Sequence, residues 1–289
     1  MPLNIIVTVK QVPDTHNISC EAMKPDGTVN RAALPAIFNP EDLNALETAL
    51  TIKDLLGAHV TAITMGPPSA VAVLRDCLFR GADEAVLVSD RRFAGADTLA
   101  TSYALSCAIE KCGPVDLICC GRQAIDGDTA QVGPQIAEKL AINQITGVSG
   151  LRAVTEDAIT VVRSVESGTE VVSSGFPLLL TITAEANDPR PPSARRVMAF
   201  KAIDRQACDG SYENAYLEPD SCRAVEFIRE WNADTIGADP ARCGLSGSPT
   251  KVKTVESVVL AASSVQRIPA TREGIGELVH ELISENILG

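Results

Sequence analysis

The 289-residue chain carries a formal net charge of −12, from 37 acidic against 25 basic side chains, and 45% of its residues are hydrophobic. That balance disfavours nucleic acid as a partner, because phosphate backbones attract surfaces rich in Lys and Arg, and no run approaches the ~20 uncharged apolar residues of a membrane helix. The length suits one large α/β domain with an appendage, and a start that enters an apolar β-like run with no basic segment before it predicts a cytoplasmic protein.

The first predicted strand runs from Asn4 to Val9. A helix then opens at Asn39-Pro40, an N-cap residue followed by proline at the first helical position, and carries Leu43, Leu46 and Leu50 on one stripe. His59 to Met65 reads as a strand, Ser69 to about Arg80 as a helix stopped by Gly81, and Glu84 to Ser89 as a strand. Two more helices start at Asp97-Thr98 and Asp128-Thr129, with a strand from Val115 to Cys120 between them. Around Ile159 to Val172 the pattern turns to β-branched residues on either side of Ser167-Gly168, the mark of an antiparallel edge hairpin, and Leu178 to Thr183 is a last apolar strand. Strands this dense in Val, Ile, Leu and Cys suit a parallel sheet covered on both faces. The alternation predicts an α/β fold: a doubly wound, mostly parallel sheet with right-handed crossovers.

From Ala184 the composition shifts. Asn187-Asp188-Pro189-Arg190-Pro191-Pro192-Ser193 fits neither a helix nor a central strand and predicts a long exposed loop. Ser211 to Val259 carries scattered Gly and Pro with little periodicity, and Arg272 to Ile287 has Ile275, Leu278, Val279, Leu282 and Ile283 at helical spacing. The expected organisation is a nucleotide-binding domain over 1–204 and an extended C-terminal arm over 205–289 that needs another protein's surface.

Nine cysteines in a chain of this kind predict reduced thiols. Cys119 and Cys120 are adjacent in an apolar run, and Cys107 and Cys112 are five apart, so no CxxC pair suggests zinc or an iron–sulfur cluster. His16, His59 and His280 stand apart from any cluster of ligand-type residues.

The chain has neither GxGxxG after its first strand nor GxxxxGK[ST]. Gly244 to Pro249 (GLSGSP) has the composition of a phosphate loop but sits in the irregular arm. Instead, the C-terminal ends of the parallel strands collect Thr8, Asn39, Met65-Gly66-Pro67-Pro68 and the segment Gly121 to Val132, at the edge where ligands bind such sheets. In the last of these, a glycine-bearing loop enters a helix near Thr129, whose free N–H groups and positive end can receive a pyrophosphate. The Thr129 hydroxyl and Gln131 amide add donors and Arg122 adds charge; Asp126 and Asp128 suit helix capping or ribose hydroxyls. The same residues also fit a plain turn followed by an N-cap. Phe93-Ala94-Gly95-Ala96-Asp97-Thr98, with Thr98 and Thr101 one turn apart, offers a second small-residue loop for the far part of a longer cofactor, or an Asp-capped helix start alone.

Val9-Lys10-Gln11-Val12-Pro13-Asp14-Thr15, Asn39-Pro40, Met65 to Pro68, Gly81-Ala82-Asp83 and the block Gly121 to Gly133 occur in the order and spacing of electron transfer flavoprotein β-subunits, which the chain resembles over most of residues 4 to 205. The DGDTAQVG form is similar to the branch associated with flavin-based electron bifurcation. The resemblance implies a Rossmann-like, adenine-nucleotide α-hydrolase-like fold, an FAD-binding α-subunit as partner, and a β-subunit ligand that is FAD in some members and AMP in others. By matched position, Thr8, Asn39, Asp42, Met65, Gly66, Gly121, Arg122, Gln123, Ala124, Ile125, Asp126, Gly127, Asp128, Thr129, Ala130, Gln131 and Val132 would contact that ligand. In the bifurcating branch NADH is the hydride donor; one electron goes to ferredoxin or flavodoxin and the other through the α-subunit FAD to a dehydrogenase of acyl-CoA or 2-hydroxy acid type. The resemblance places the docking of that dehydrogenase on Asn187 to Met198, with Asn187, Arg190, Ala194, Arg195, Arg196 and Met198 as its residues. Arg122 stands where many members have lysine, and Ala194 where some place a leucine. Two other readings are an AMP-holding subunit without bifurcation and a stand-alone nucleotide sensor similar to universal stress proteins; the arm disfavours the latter.

Overall fold

Nine strands form one sheet whose order, β11-β5-β4-β1-β6-β10-β7-β8-β9, departs in both directions from the central pair β1 and β6. In the computed structural model, which describes residues 2–14, 35–201, 203, 228–250, 267–285 and 287, these strands are β1 (Asn4–Thr8), β4 (His59–Met65), β5 (Glu84–Val88), β6 (Leu117–Gly121), β7 (Asn143–Val154), β8 (Ala158–Val165), β9 (Gly168–Gly175), β10 (Leu178–Ile182) and β11 (Arg229–Trp231). From β11 to β7 every neighbouring pair is parallel, and β7, β8 and β9 follow antiparallel. Two further strands, β2 (Gln11–Pro13) and β3 (Ala36–Phe38), pair antiparallel beside the sheet. Thr15 and His16, and residues 204–227 and 251–266 of the expected arm, lie outside the described residues.

Alternating side chains divide the core. Ile5 and Val7 of β1 meet α1 (Pro40–Leu56) and α2 (Val71–Arg80) through Leu46, Leu50, Leu74 and Leu78, all buried. Ile6 points to the other face, where α3 (Thr98–Cys112) and α4 (Val132–Leu140) contribute Leu105, Ile109 and Ile136. Helices on both faces explain why the parallel strands read as nearly continuous apolar runs. Cys119 and Cys120 are buried in β6, and burial pushes both thiols well above their ordinary value, Cys120 to about 12.

Several expectations change. The expected loop Asn187 to Ser193 is followed by a short helix, α5 (Ala194–Phe200), that was not expected. β7 was not expected; its glycines and hydroxyl residues hide the period-two pattern. The last helix, α6, spans Arg272–Ser284 and ends before Ile287. Residues 1–253 group as one compact unit and 254–289 as another, so the segment 228–250, read from the sequence as arm, belongs with the sheet. There β11 extends the edge at β5, Trp231, Ala233 and Ile236 enter the core, and Arg92 bridges Asp90 to Asp234. In the second unit, α6 carries exposed Ile275, Val279 and Ile283 at four-residue spacing. No described helix is long and apolar enough to cross a membrane.

Candidate functional site

The two central strands end side by side, with Thr8 of β1 in register with Cys120 of β6. A strand order that reverses here leaves a crevice beyond the carboxyl ends, the usual ligand position in such sheets. The carboxylate of Asp42, in the first turn of α1, ties the two ends together. Its Oδ2 accepts from the Lys10 N–H at 2.8 Å and its Oδ1 from the Gly121 N–H at 3.1 Å. Only glycine fits at 121, because a Cβ there would stand 2.3 Å from Asp42 Oδ1 and 2.8 Å from its amide nitrogen. Burial raises the Asp42 carboxyl to about 7, against the lowering effect of bonds from Asn39, Lys10 and Gly121. Desolvation therefore outweighs the donors.

Asn39 occupies the N-cap position of α1 but makes no capping bond. Fully buried, its amide donates to the Gln123 carbonyl at 2.8 Å and its Oδ1 accepts from the Ile125 N–H at 3.2 Å. Glu41 accepts from the Gln123 N–H at 2.8 Å and pairs with Arg122 at 3.1 Å. The first turn of α1 thus shapes the loop after β6 through three side chains. Glu41 was absent from the predicted site. An acid in a first helical turn reads as a complement to the helix dipole, and its reach across to another loop has no local signal.

The loop then departs from expectation. α4 begins at Val132, three residues later than predicted, with Gln131 at its N-cap and no side-chain cap. Asp128 caps nothing; it and Ala130 take positive φ of 48° and 52°. Asp126 pairs with Lys10 at 2.6 Å. Residues of alternating hand turn successive N–H groups toward one concavity. Among the described residues, the N–H groups of Thr129, Ala130, Gln131, Val132 and Gly133 donate to no protein acceptor.

The second loop lies against this one. Asp97 caps α3, accepting from the N–H groups of Leu99 and Ala100, both at 3.0 Å. The Thr98 hydroxyl donates to Gln131 at 2.8 Å, and Ser102 donates to Gln135 at 3.0 Å. Thr101 is half-buried in the first turn of α3. Met65 and Gly66 end β4 beside β1, with the Gly66 N–H donating to Val88.

Residues 26–207 match the family model described as "Electron transfer flavoprotein domain". The chain belongs to the β-subunits of the electron transfer flavoprotein family. It is 43% identical to "Electron transfer flavoprotein subunit beta" of Clostridium acetobutylicum, over 98% of this chain and 94% of that one. It is 42% identical to "Caffeyl-CoA reductase-Etf complex subunit CarD" of Acetobacterium woodii, over 99% of this chain and all of that one. With "Acryloyl-CoA reductase electron transfer subunit gamma" of Anaerotignum propionicum it shares 41% identity, again over 99% and 100%.

In this electron transfer flavoprotein β-subunit the segment expected to be an exposed loop is anchored at three points. The Asn187 amide donates to the Asn44 carbonyl and the Thr48 hydroxyl, at 3.1 and 2.9 Å. Arg190 pairs with Glu47 at 2.8 Å and Asp54 at 2.9 Å. Arg196 donates to the carbonyls of Leu78, at 2.5 Å, and Ala82. Asn187 and Arg190 hold the approach to α5 on α1, and Arg196 holds α5 on α2, while Ala194, Arg195 and Met198 are exposed.

Proposed function

We propose that this chain is the β-subunit of a heterodimeric, electron-bifurcating flavoprotein and that it holds FAD at the β1–β6 edge. Bound there, FAD supplies the redox chemistry, taking hydride from NADH and releasing single electrons to ferredoxin or flavodoxin and, through an FAD of the α-subunit, to a flavin-dependent dehydrogenase. The observation that carries this reading is the row of unpartnered N–H groups from Thr129 to Gly133. They suit a pyrophosphate, and the positive end of α4 reinforces them. Lys10 offsets Asp126, which otherwise repels an anion at that place. The Thr98–Gln131 bond sets the first turn of α3 beside this concavity, where that turn can meet the far part of a ligand longer than AMP.

The remaining residues position rather than react. Asn39, Glu41 and Asp42 fix the loop so that its backbone donors need no reorganisation when an anion arrives. Through their anchors Asn187, Arg190 and Arg196 make α5 a rigid platform for docking the dehydrogenase, with Ala194, Arg195 and Met198 outward. The names of the caffeyl-CoA and acryloyl-CoA reductase subunits favour the acyl-CoA type over the 2-hydroxy acid type. The apolar stripe of α6 suits packing on the α-subunit, in the cytoplasm.

Anaerobic titration of the co-purified two-subunit complex with NADH tests the reading. The expected result is flavin bleaching, with ferredoxin reduction only when the dehydrogenase and its 2-enoyl-CoA acceptor are present. A complex that oxidises no NADH and receives electrons only from the dehydrogenase would match the AMP-holding alternative instead.

A further inference from the structure

A second concavity, of about 400 Å³, opens between α3, α4 and the segment 241–249. Leu99 and Tyr103 form one wall, Lys139 of α4 another, and Arg242 with Ser246 to Pro249 the third. The last wall is the GLSGSP stretch, which the site described above does not use. It is held firmly. The Ser248 hydroxyl accepts from the Asp97 N–H at 2.8 Å and donates to the Gly244 carbonyl at 2.7 Å. Asp97 accepts in turn from the Thr250 hydroxyl at 2.6 Å, and the Tyr103 hydroxyl accepts from the Asp239 N–H at 2.9 Å.

Two cations, Lys139 and Arg242, line this space. Neither Lys139 nor Arg242 has a carboxylate within ion-pair distance among the described residues, in a chain with a net charge of −12. Arg242 lies flat on the Tyr103 ring at 3.8 Å, which leaves the edge of its guanidinium available to an acceptor. Burial and the charge of Arg242 lower the Lys139 ammonium from its ordinary value. Two like charges close together are unfavourable unless an anion joins them. Among the described residues the N–H groups of Ser246 and Ser248 have no protein acceptor. The volume suits a ligand of mononucleotide size.

We infer that this pocket binds the phosphate end of a nucleotide-sized small molecule, with Lys139, Arg242 and the Ser246–Ser248 turn as its ligands and Leu99 and Tyr103 against the rest. The inference does not rest on the identity of the cofactor at the β1–β6 edge. That edge keeps its own ligand during the test.

The full two-subunit complex, as purified and in phosphate-free buffer at constant ionic strength, is titrated calorimetrically with ADP, with adenosine and with inorganic phosphate. The expected result is one saturable ADP site per chain, weakened about tenfold by Lys139→Gln and by Arg242→Gln, since charge-assisted bonds to phosphate carry most of such affinity. Arg242→Lys keeps the charge and should retain most of the binding, and Thr129→Val at the other site should leave it unchanged. Inorganic phosphate competing with ADP identifies the phosphate group as what is recognised. Because Lys139 has no ion-pair partner among the described residues, its variant separates binding from stability even if Arg242→Gln loosens Tyr103. No saturable ADP binding, adenosine binding as tightly as ADP, or an affinity untouched by Lys139→Gln and Arg242→Gln would each overturn the inference.

Discussion

The hydroxyl of Thr98 donates to the side-chain oxygen of Gln131 over 2.8 Å, joining the first turn of α3 to the residue at the N-cap position of α4. Thr98→Val keeps the shape and removes the donor, so about 1 kcal/mol of stability should be lost, measured by denaturant unfolding, together with looser retention of the nucleotide. Gly95 is a poor place for the same test. Its φ is +72°, and a Cβ would stand 2.7 Å from Leu245, so any side chain there disturbs backbone and neighbour together.

Ala130 has a φ of +52° in the row of free N–H groups. A β-branched side chain is costly in that region, by about 1 to 2 kcal/mol, whereas glycine adopts it without penalty. Ala130→Val should open the concavity and lower nucleotide occupancy about 5- to 30-fold, while Ala130→Gly should retain a full complement. Counting nucleotide per purified chain checks both variants.

Asp42 should make stability depend on pH. The folded state keeps its proton up to about pH 7, while the unfolded chain releases it near the ordinary 3.8. Stability from this group is therefore complete below the lower value, falls as pH rises between the two, and levels off above the upper one. Asp42→Asn cannot titrate. The difference in unfolding free energy between the native chain and this variant should shrink across that window by an amount on the order of 2 to 4 kcal/mol at most. A difference independent of pH would show that Asp42 titrates normally.

On α5 and its approach, structural and docking roles fall on different arginines. Arg190→Ala breaks the pairs with Glu47 and Asp54, both part-buried on the arginine side, and should lower stability by about 1 to 2 kcal/mol. Arg195→Ala, at an exposed position, should leave melting unchanged and slow electron transfer to the dehydrogenase. Stopped-flow kinetics of the complex with its dehydrogenase measures the latter. An unchanged rate in Arg195→Ala would place the docking surface elsewhere.

The sheet was legible because its central strands are buried on both faces, which leaves long apolar runs in the sequence. Asn39-Pro40 marked the start of α1 correctly, yet the asparagine side chain turns away from its own helix to hold Gln123 and Ile125. Nothing local distinguishes those two uses. The late start of α4 escaped because alanine seldom takes positive φ, so no residue type announced the kink at Ala130. β11 is three residues long, Arg229 to Trp231, and is defined by its pairing with β5 rather than by any pattern of its own. The dependence of Arg122 and Gln123 on Glu41 joins residues far apart in the chain, which spacing cannot reveal.

What the β1–β6 edge holds decides between a bifurcating subunit and an AMP-holding one. Denaturing the co-purified two-subunit complex and identifying the released nucleotides by chromatography and mass spectrometry tests it most directly. Two FAD per heterodimer and no AMP is the predicted result; one FAD with one AMP would contradict it.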